Sequence, residues 1–534
     1  MDNNYVLAMY DVCGIQNYIF KTTKLKDAIG ASYIIENIIE DALMEGAKRI
    51  SNSEKHGCIS CNFDLANGNL SNGNLNEYED NKYDIQVLYI GGGNGVVIYS
   101  SKELCVDMNK LMSMYVLNNT YSLQLAVAFV EKTENYGTDY NELYKELAKV
   151  KANKEASRPL NILPVMKIEK KTGNPITDKT IRDENGKYQN VSTESWLKKS
   201  SEQKKRQKQE SQIKIFDNYA LEKGADSTIA IVHMDGNNMG LRIRSLLENK
   251  ESYVDAVSQM RKISGNINNS YKAVYDEMET LFTTSKKRFM LPVLVAGDDI
   301  TYVCTGKVAL ASVEYFSREI SKRTMNGPTD EGSINKYGFT VCAGIAYINS
   351  HFPFSVGYDI AEACCESAKD KAKENAHLYE NGKVGNWVDF HICKNIYAKE
   401  LEDMRHDEYF TCSGENLLIR PYELDLGNKE LKSKEIEQYN NFVSNISFFG
   451  RENKHDNAEL KTIPRSLAKR MRNTYSLGRT SIEQLSSFLK SREYRMPDNT
   501  NNMYENDSNT ALWYDSLEML DNYISLEEIE KIED

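Results

Sequence analysis

The 534-residue chain has no run approaching about 18 consecutive apolar residues, no excess of positive charge, and no second Cys-x-x-C to complete a metal finger. The first absence excludes a membrane-spanning helix. The opening MDNNYVLAMYD has neither the basic nor the apolar segment of a secretory signal, so a cytoplasmic location is expected. Lys plus Arg number 66 against 78 Asp plus Glu, a formal net charge of −12. That balance argues against a free-standing nucleic-acid binder, so any such contact is expected to be local or made through partners. The ten cysteines are scattered, as suits reduced thiols. Cys58 and Cys61, with His56 before them, fall short of the four ligands of a closed zinc site and read as a loop with free thiols. Cys364 and Cys365 read as small buried thiols on a helix.

Length points to three or four units. Two segments repeat one order of elements. In the first, Tyr5 to Asp11 is strand-like, Ile15 to Lys48 helical, Ile85 to Ile90 and Val96 to Tyr99 flank a glycine turn, Lys102 to Asn118 is helical, and Ser122 to Glu131 is again a strand. The second repeats this β-α-β-β-α-β order with a strand at Thr228 to Met234, a helical region to Phe282, a hairpin at Leu291 to Cys304, a helix near Val308 to Arg323 and a strand at Gly338 to Ile348. The reading is therefore mixed α/β (α+β) with two ferredoxin-like domains, residues 1–135 and 227–395. A polar stretch at 136–226 is expected to connect them. It contains the strongest basic cluster, Lys198 to Lys208, either a solvated helix or connector, or a local RNA or phosphate contact. Residues 396–534 read as an α-helical docking unit with a basic stretch from Lys461 to Arg479 and an acidic tail.

Chemistry concentrates in the second repeat. Leu291 to Cys304 is two apolar strand-length runs joined at Ala296-Gly297, with Asp298 and Asp299 at the bend. Asp suits turns and such a pair is often only punctuation, but a third acid, Asp235, ends the strand-like run Thr228 to Met234 and opens a Gly-flanked turn. Three acids at two strand ends are the donor set that holds two divalent cations beside a phosphate. The first repeat has Gly91-Gly-Gly-Asn94 where the second has these acids, so it cannot hold two metals. Its glycines either let a nucleotide approach the backbone or serve the turn geometry alone.

At these residues the chain resembles the large Palm-domain polymerase subunit of type III CRISPR effector complexes. The similarity rests on Asp11-Val-Cys-Gly-Ile-Gln-Asn-Tyr-Ile-Phe20 with Ile29-Gly-Ala-Ser-Tyr33, on Met234-Asp-Gly-Asn-Asn-Met-Gly240, on Ala296-Gly-Asp-Asp299, and on Ala361-Glu-Ala-Cys-Cys-Glu-Ser-Ala-Lys369, together with Asp389 to Ile392 and Arg420 to Glu423. The chain departs from that pattern at Asn237, where many members have a second acid, and at Ala296, where they have glycine. The family's cysteine-rich insert is replaced by a cysteine-free segment, Leu163 to Pro175, and no HD nuclease domain precedes the first Palm. HD-type DNA cleavage is accordingly not expected, and His406-Asp407 and His455-Asp456 read as surface pairs.

The resemblance implies ATP-dependent synthesis of cyclic or linear oligoadenylate messengers for antiviral defence. Asp235, Asp298 and Asp299 would hold two Mg²⁺ or Mn²⁺ ions and be the catalytic residues; Gly236, Asn237, Asn238 and Gly297 would meet phosphates; and Lys369 and Lys373 would balance triphosphate charge, unless they are a solvated lysine face. Ser32 and Gly91, Gly92 and Gly93 of the first Palm would place the second nucleotide. ATP, guide-RNA complex subunits and target RNA are the implied partners. The rival readings are a Palm scaffold that has lost synthesis, motivated by Asn237 and Ala296, and a GGDEF-type cyclase making a cyclic dinucleotide.

Overall fold

The computed structural model describes residues 5–20, 24–66, 70, 75–91, 93–153, 163–170, 172–182, 186–208, 228–247, 252–283, 289–325, 327–328, 338–376, 384–395, 399–424, 434–450, 461–497, 502–505 and 508–531. The first unit opens with β1 (Val6–Cys13), a strand in which alternate residues on both faces are apolar. Val6, Ala8, Tyr10 and Val12 enter one core while Leu7 and Met9 enter another, so the sheet is covered on both sides. Helices α1 (Ile15–Phe20), α2 (Leu25–Glu36) and α3 (Ile38–Ser51) follow, then the hairpin β2 (Ile85–Gly91) and β3 (Asn94–Tyr99), α4 (Lys102–Thr120) and β4 (Gln124–Glu131). The antiparallel order β2-β3-β1-β4 is the ferredoxin-like arrangement expected from the order of elements.

Helix α5 (Tyr136–Ala152) packs on β1 and β4, covering the face of the first sheet opposite α1 to α4. Beyond it, the hairpin β5 (Ile176–Arg182) and β6 (Tyr188–Ser192) leads into α6 (Thr193–Lys208), which lies against α2. This contact corrects the solvated reading for part of the basic cluster. Lys198 is 3% exposed, its Nζ donates to the Tyr18 carbonyl and pairs with Glu194 at 2.7 Å, and Lys199 pairs with Glu202. Gly30 permits the approach, because a Cβ there would fall 1.9 Å from the Lys198 carbonyl oxygen. The side chains of Lys204 to Lys208 lie outside the described residues.

The second unit runs β7 (Thr228–Gly236), α7 (Met239–Leu247), α8 (Tyr253–Phe282), β8 (Met290–Ala296), β9 (Asp299–Thr305) and α9 (Gly306–Ile320). After a two-residue pair, β10 (Arg323–Thr324) and β11 (Gly327–Pro328), come β12 (Val341–Asn349), α10 (Phe354–Glu374), β13 (Trp387–Ile392) and β14 (Tyr422–Glu423). The sheet order β14-β13-β12-β7-β9-β8 extends the expected four strands by two, with β13 parallel to β12. Ala230, Val232 and Met234 of β7 face the core under α8 and α9, and α10 covers the other face. The two units face each other with approximate twofold symmetry: α2, after the first strand of the first unit, packs on β8, while α8, after the first strand of the second, packs on β2. Arg261 of α8 secures the second contact by donating to the carbonyls of Leu88, Asn76 and Val87.

The C-terminal unit is helical: α11 (Leu401–Tyr409), α12 (Lys434–Gly450), α13 (Arg465–Tyr475), α14 (Arg479–Ser491), α15 (Tyr514–Glu518) and α16 (Leu526–Glu530). Its tie to the second sheet is the fully buried Arg420 side chain, 3.1 Å from both Asp515 and Glu518 and stacked 4.1 Å over Phe390 of β13. Arg465 and Lys469 of the basic stretch both pair with Asp521. His406 and Asp407 are exposed, the ring stacking on Phe410 and the carboxylate pairing with Lys399; His455 and Asp456 lie outside the described residues. Cys364 and Cys365 are buried, and His56 bonds Asp107 at 3.0 Å. No described helix is long and apolar enough to cross a membrane.

A second anchor gives a testable pH dependence. Glu314 of α9 is half-buried and accepts hydrogen bonds from the Tyr439 and Tyr523 hydroxyls, yet loss of hydration outweighs these and raises its pKa to about 7. A carboxyl raised on folding stabilises fully below its unfolded pKa, and that contribution is lost as pH rises through about 7. Glu314→Gln is therefore expected to stabilise the protein by on the order of 3 kcal/mol at pH 8 and by little at pH 4. Thermal melts of both proteins across that range check it.

Candidate active site between the two Palms

The acids sit where local chain geometry delivers them. Asp235 is the penultimate residue of β7, and the neighbouring β9 begins with Asp299 immediately after the turn Gly297-Asp298 that joins it to β8. Gly297 has φ +64°, the positive value that a two-residue hairpin assigns to glycine at its first turn position. Asp298 then folds over the end of β7: a Cβ on Gly236 would stand 2.7 Å from Asp298 Cβ and 2.9 Å from its Oδ2. Gly236 thus serves close packing beneath an acid.

The charges repel one another in a largely buried setting. Burial first, and then the charge of Asp235, raise Asp298 to about 7 and Asp299 to about 8. Asp299 Oδ1 is buried without a hydrogen-bond partner. His233 Nδ1 stands 3.6 Å from it, and that nitrogen lies 3.0 Å from Thr301 Oγ1. Burial lowers the His233 pKa to about 4, so the ring is neutral at pH 7 and supplies no counter-charge. The counter-charge at the site is Lys369 of α10, whose ammonium pairs with Asp235 Oδ2. An orphaned carboxylate oxygen and two acids held above their usual range fit a divalent cation at this place, with Asp235, Asp298 and Asp299 as its holders. As the side chains stand, with Asp235 drawn to Lys369, no three His, Cys, Asp or Glu among the described residues form a ready cluster.

A cleft of ≈ 440 Å³ opens beside these acids. From the second unit it is lined by Ala296 to Asp299 and by Ser264 and Asn268 of α8, and from the first by Gly14 to Asn17, Gly91 and Asn94. Ile35, Met260, Ile267 and Leu294 give it apolar walls. Of the residues singled out from the sequence, Gly91 and Gly297 line the cleft with the two acids. Gly93, φ +79°, closes against Ile15, and Gly92 lies outside the described residues.

Four residues singled out from the sequence are placed elsewhere. Asn237 is buried; its backbone amide donates to the Thr340 carbonyl, and its Nδ2 to Thr340 Oγ1 and the Gly385 carbonyl, so it ties the turn to β12 instead of meeting a phosphate. Asn238 adopts φ +58° and its carbonyl starts α7. Ser32 is buried within α2, and Lys373 pairs at 2.9 Å with the exposed Asp370. Conversely, Gln16, Asn17, Ser264 and Asn268 emerge only from the fold. The available signal was a polar pair, Ser264 and Asn268, four residues apart on the otherwise apolar stripe of α8.

The first hairpin explains its own lack of acids. Gly91 pairs with Asn94 as Ala296 pairs with Asp299, so Asn94 is the counterpart of Asp299 and Gly93 that of Asp298. The positive φ falls on Gly93, the second turn position, where an aspartate would be strained.

Comparison with known proteins agrees with this architecture. Residues 228–378 match the model of the Cas10/Cmr2 second palm domain. No curated protein matches the chain. Among solved structures, the Csm1-Csm4 cassette in complex with pppApApA aligns with a TM-score of 0.53 at 11% identity, over 97% of this chain and 69% of that chain. The same cassette in complex with cA3 gives 0.50 at 12% identity over the same shares. With the mixed α/β fold and paired sheets in place, residues 228–378 are similar to the second palm domain of the Cas10/Cmr2 family, and the fold of the chain is similar to that of the Csm1-Csm4 cassette.

Proposed function

We propose that this protein condenses ATP into cyclic or linear oligoadenylates, with Asp235, Asp298 and Asp299 as catalytic, metal-holding residues. The observation that carries the reading is that Asp298 and Asp299 line a cleft shared by both units while Asp235, whose charge raises both, pairs with Lys369 beside them. Two Mg²⁺ or Mn²⁺ ions, when bound, lower the pKa of an attacking ribose hydroxyl and neutralise charge on the α-phosphate and pyrophosphate. The chain's own contribution is placement and exclusion. Asp235, Asp298 and Asp299 supply fixed negative charge at two strand ends. Lys369 leaves Asp235 for a phosphate oxygen once other positive charge is present. Gln16, Asn17, Asn94, Ser264 and Asn268 offer hydrogen bonds to base and ribose, while Ile35, Met260, Ile267 and Leu294 keep water from the nucleotides.

The fold-level neighbours held with pppApApA and cA3 are consistent with an adenylate product. By the same extension, the protein works in the cytoplasm within a guide-RNA complex of CRISPR-type defence that responds to target RNA. The test is incubation of the pure protein with each labelled NTP and Mn²⁺ or Mg²⁺, with and without RNA, and resolution of the products. Oligoadenylates from ATP are expected. A cyclic dinucleotide from GTP would point to a GGDEF-type cyclase, and absence of product in every arm would leave the scaffold role.

A further inference from the structure

The first Palm retains half of the charge arrangement found in the second. In the second, α10 begins at Phe354 and its sixteenth residue, Lys369, reaches back to Asp235 on the first strand. In the first, α5 begins at Tyr136 and its sixteenth residue, Lys151, reaches back to Asp11 on β1 at 2.7 Å. Both helices follow the last strand of the repeat and cover the same face of their sheets, and each lysine lies twenty positions past that strand's end, Glu131 to Lys151 and Asn349 to Lys369. The correspondence continues along the helix face. Tyr140, Tyr144, Leu147 and Lys151 form one stripe, as do Tyr358, Glu362, Cys365 and Lys369.

This stripe borders the cleft. Tyr140 and Tyr144 line it, and so does Asn94, the cross-strand partner of Asp11, whose side chain therefore points to the same side of the sheet. What the first Palm lacks is the pair of hairpin acids, Gly93 and Asn94 standing in their place. One carboxylate cannot hold two divalent cations, but one carboxylate beside one ammonium is a neutral pair that yields a cation to a stronger anion.

We propose that Lys151 binds the triphosphate of the second nucleotide, Asp11 holding the lysine ready, without a metal ion. This rests on the proposed nucleotide reading of the cleft and assigns the charged residue of its first-Palm half. Lys151 is a binding and positioning residue; the bond-making acids remain those of the second Palm. A structural tie between α5 and β1 is the competing role of the pair. Because Lys151 is 44% exposed, its loss does not threaten folding.

The two roles separate in equilibrium binding of β,γ-imido-ATP by the whole protein, measured by calorimetry in EDTA and again in Mg²⁺. In EDTA the wild type is expected to keep one metal-independent site. Lys151→Met weakens it by about tenfold or more, Lys151→Arg restores it, and Lys145→Met, at an exposed pair with Glu142 on the same helix, leaves it unchanged. Unaltered binding by Lys151→Met in EDTA, or an equal loss in Lys145→Met, would overturn the assignment. If the wild type binds no analogue under either condition, the nucleotide reading of the cleft falls and this half-site with it. If binding follows Lys151 but no condensation product forms, the half-site stands and the proposed synthesis fails.

Discussion

Replacing Asp298 and Asp299 together by asparagine is expected to abolish condensation of ATP and, at pH 8, to raise the melting temperature. The two results have one cause. Both carboxyls are held above their usual range by burial and then by Asp235, and Asp299 also by Asp298, so the folded protein takes up protons that the unfolded chain releases. A carboxyl raised in this way contributes stability below its unfolded pKa of 3.8 and loses it as pH rises through about 7 and 8. The isosteric amides remove that loss while keeping the hairpin's shape. Solvent reaches Asp299, which is 28% exposed, and reduces the gain, leaving on the order of 2 kcal/mol at pH 8 and nearly none at pH 4. Chemistry moves the other way, because neutral amides neither hold divalent cations nor screen a developing charge, and product formation should fall by about a thousandfold or more. Parallel melts and product assays decide: a variant that makes product at the wild-type rate removes both acids from the catalytic role, and one less stable at pH 8 refutes the repulsion.

The largest loss of stability is expected from a residue with no charge at all. Gly344 of β12 lies under the crossing of α10, where a Cβ would come 1.9 Å from the Ala361 carbonyl oxygen and 2.3 Å from the Cys365 amide. Both are backbone atoms of the helix, so the clash cannot be relieved by a rotamer change. Gly344→Ala should lift α10 from the sheet, costing about 3 kcal/mol or more, and Gly344→Val should prevent stable folding. Because α10 also carries Lys369, the alanine variant is expected to lose its hold on Asp235, and nucleotide binding should fall even at temperatures where the protein remains folded. Alanine at 344 with wild-type melting and wild-type binding would show that the crossing is wider than described. The half-buried Gly265 of α8, where an added Cβ meets nothing within 4 Å, is the control expected to tolerate alanine.

Much of this molecule follows from local rules that a sequence carries openly. Short continuous apolar runs specify β1 and β7, a two-residue turn with glycine at its first position specifies the Gly297-Asp298 bend, and Asp235 lies at its strand's end because a Gly-flanked polar turn follows. Order of elements alone gave the ferredoxin-like repeat, and the positions of Asp235, Asp298 and Asp299 at strand tips followed from it. What local rules could not reach were contacts that close long loops. Lys369 meets Asp235 across 134 positions and Lys151 meets Asp11 across 140, and nothing in either lysine's neighbourhood distinguishes it from Lys373, which pairs with Asp370 in solvent. Asn237 looked like a phosphate-binding turn residue, yet its donors are engaged by Thr340 and Gly385, which only the pairing of β7 with β12 brings near. Lys198 looked solvated within a basic run until Gly30 let α6 settle onto α2. The sequence by itself determined the elements, the repeat and the acids at their tips, because these depend on neighbours a few residues away. The tertiary structure alone decided which charges meet, since that depends on how two sheets and the helices between them pack, and burial then sets what each charge can do.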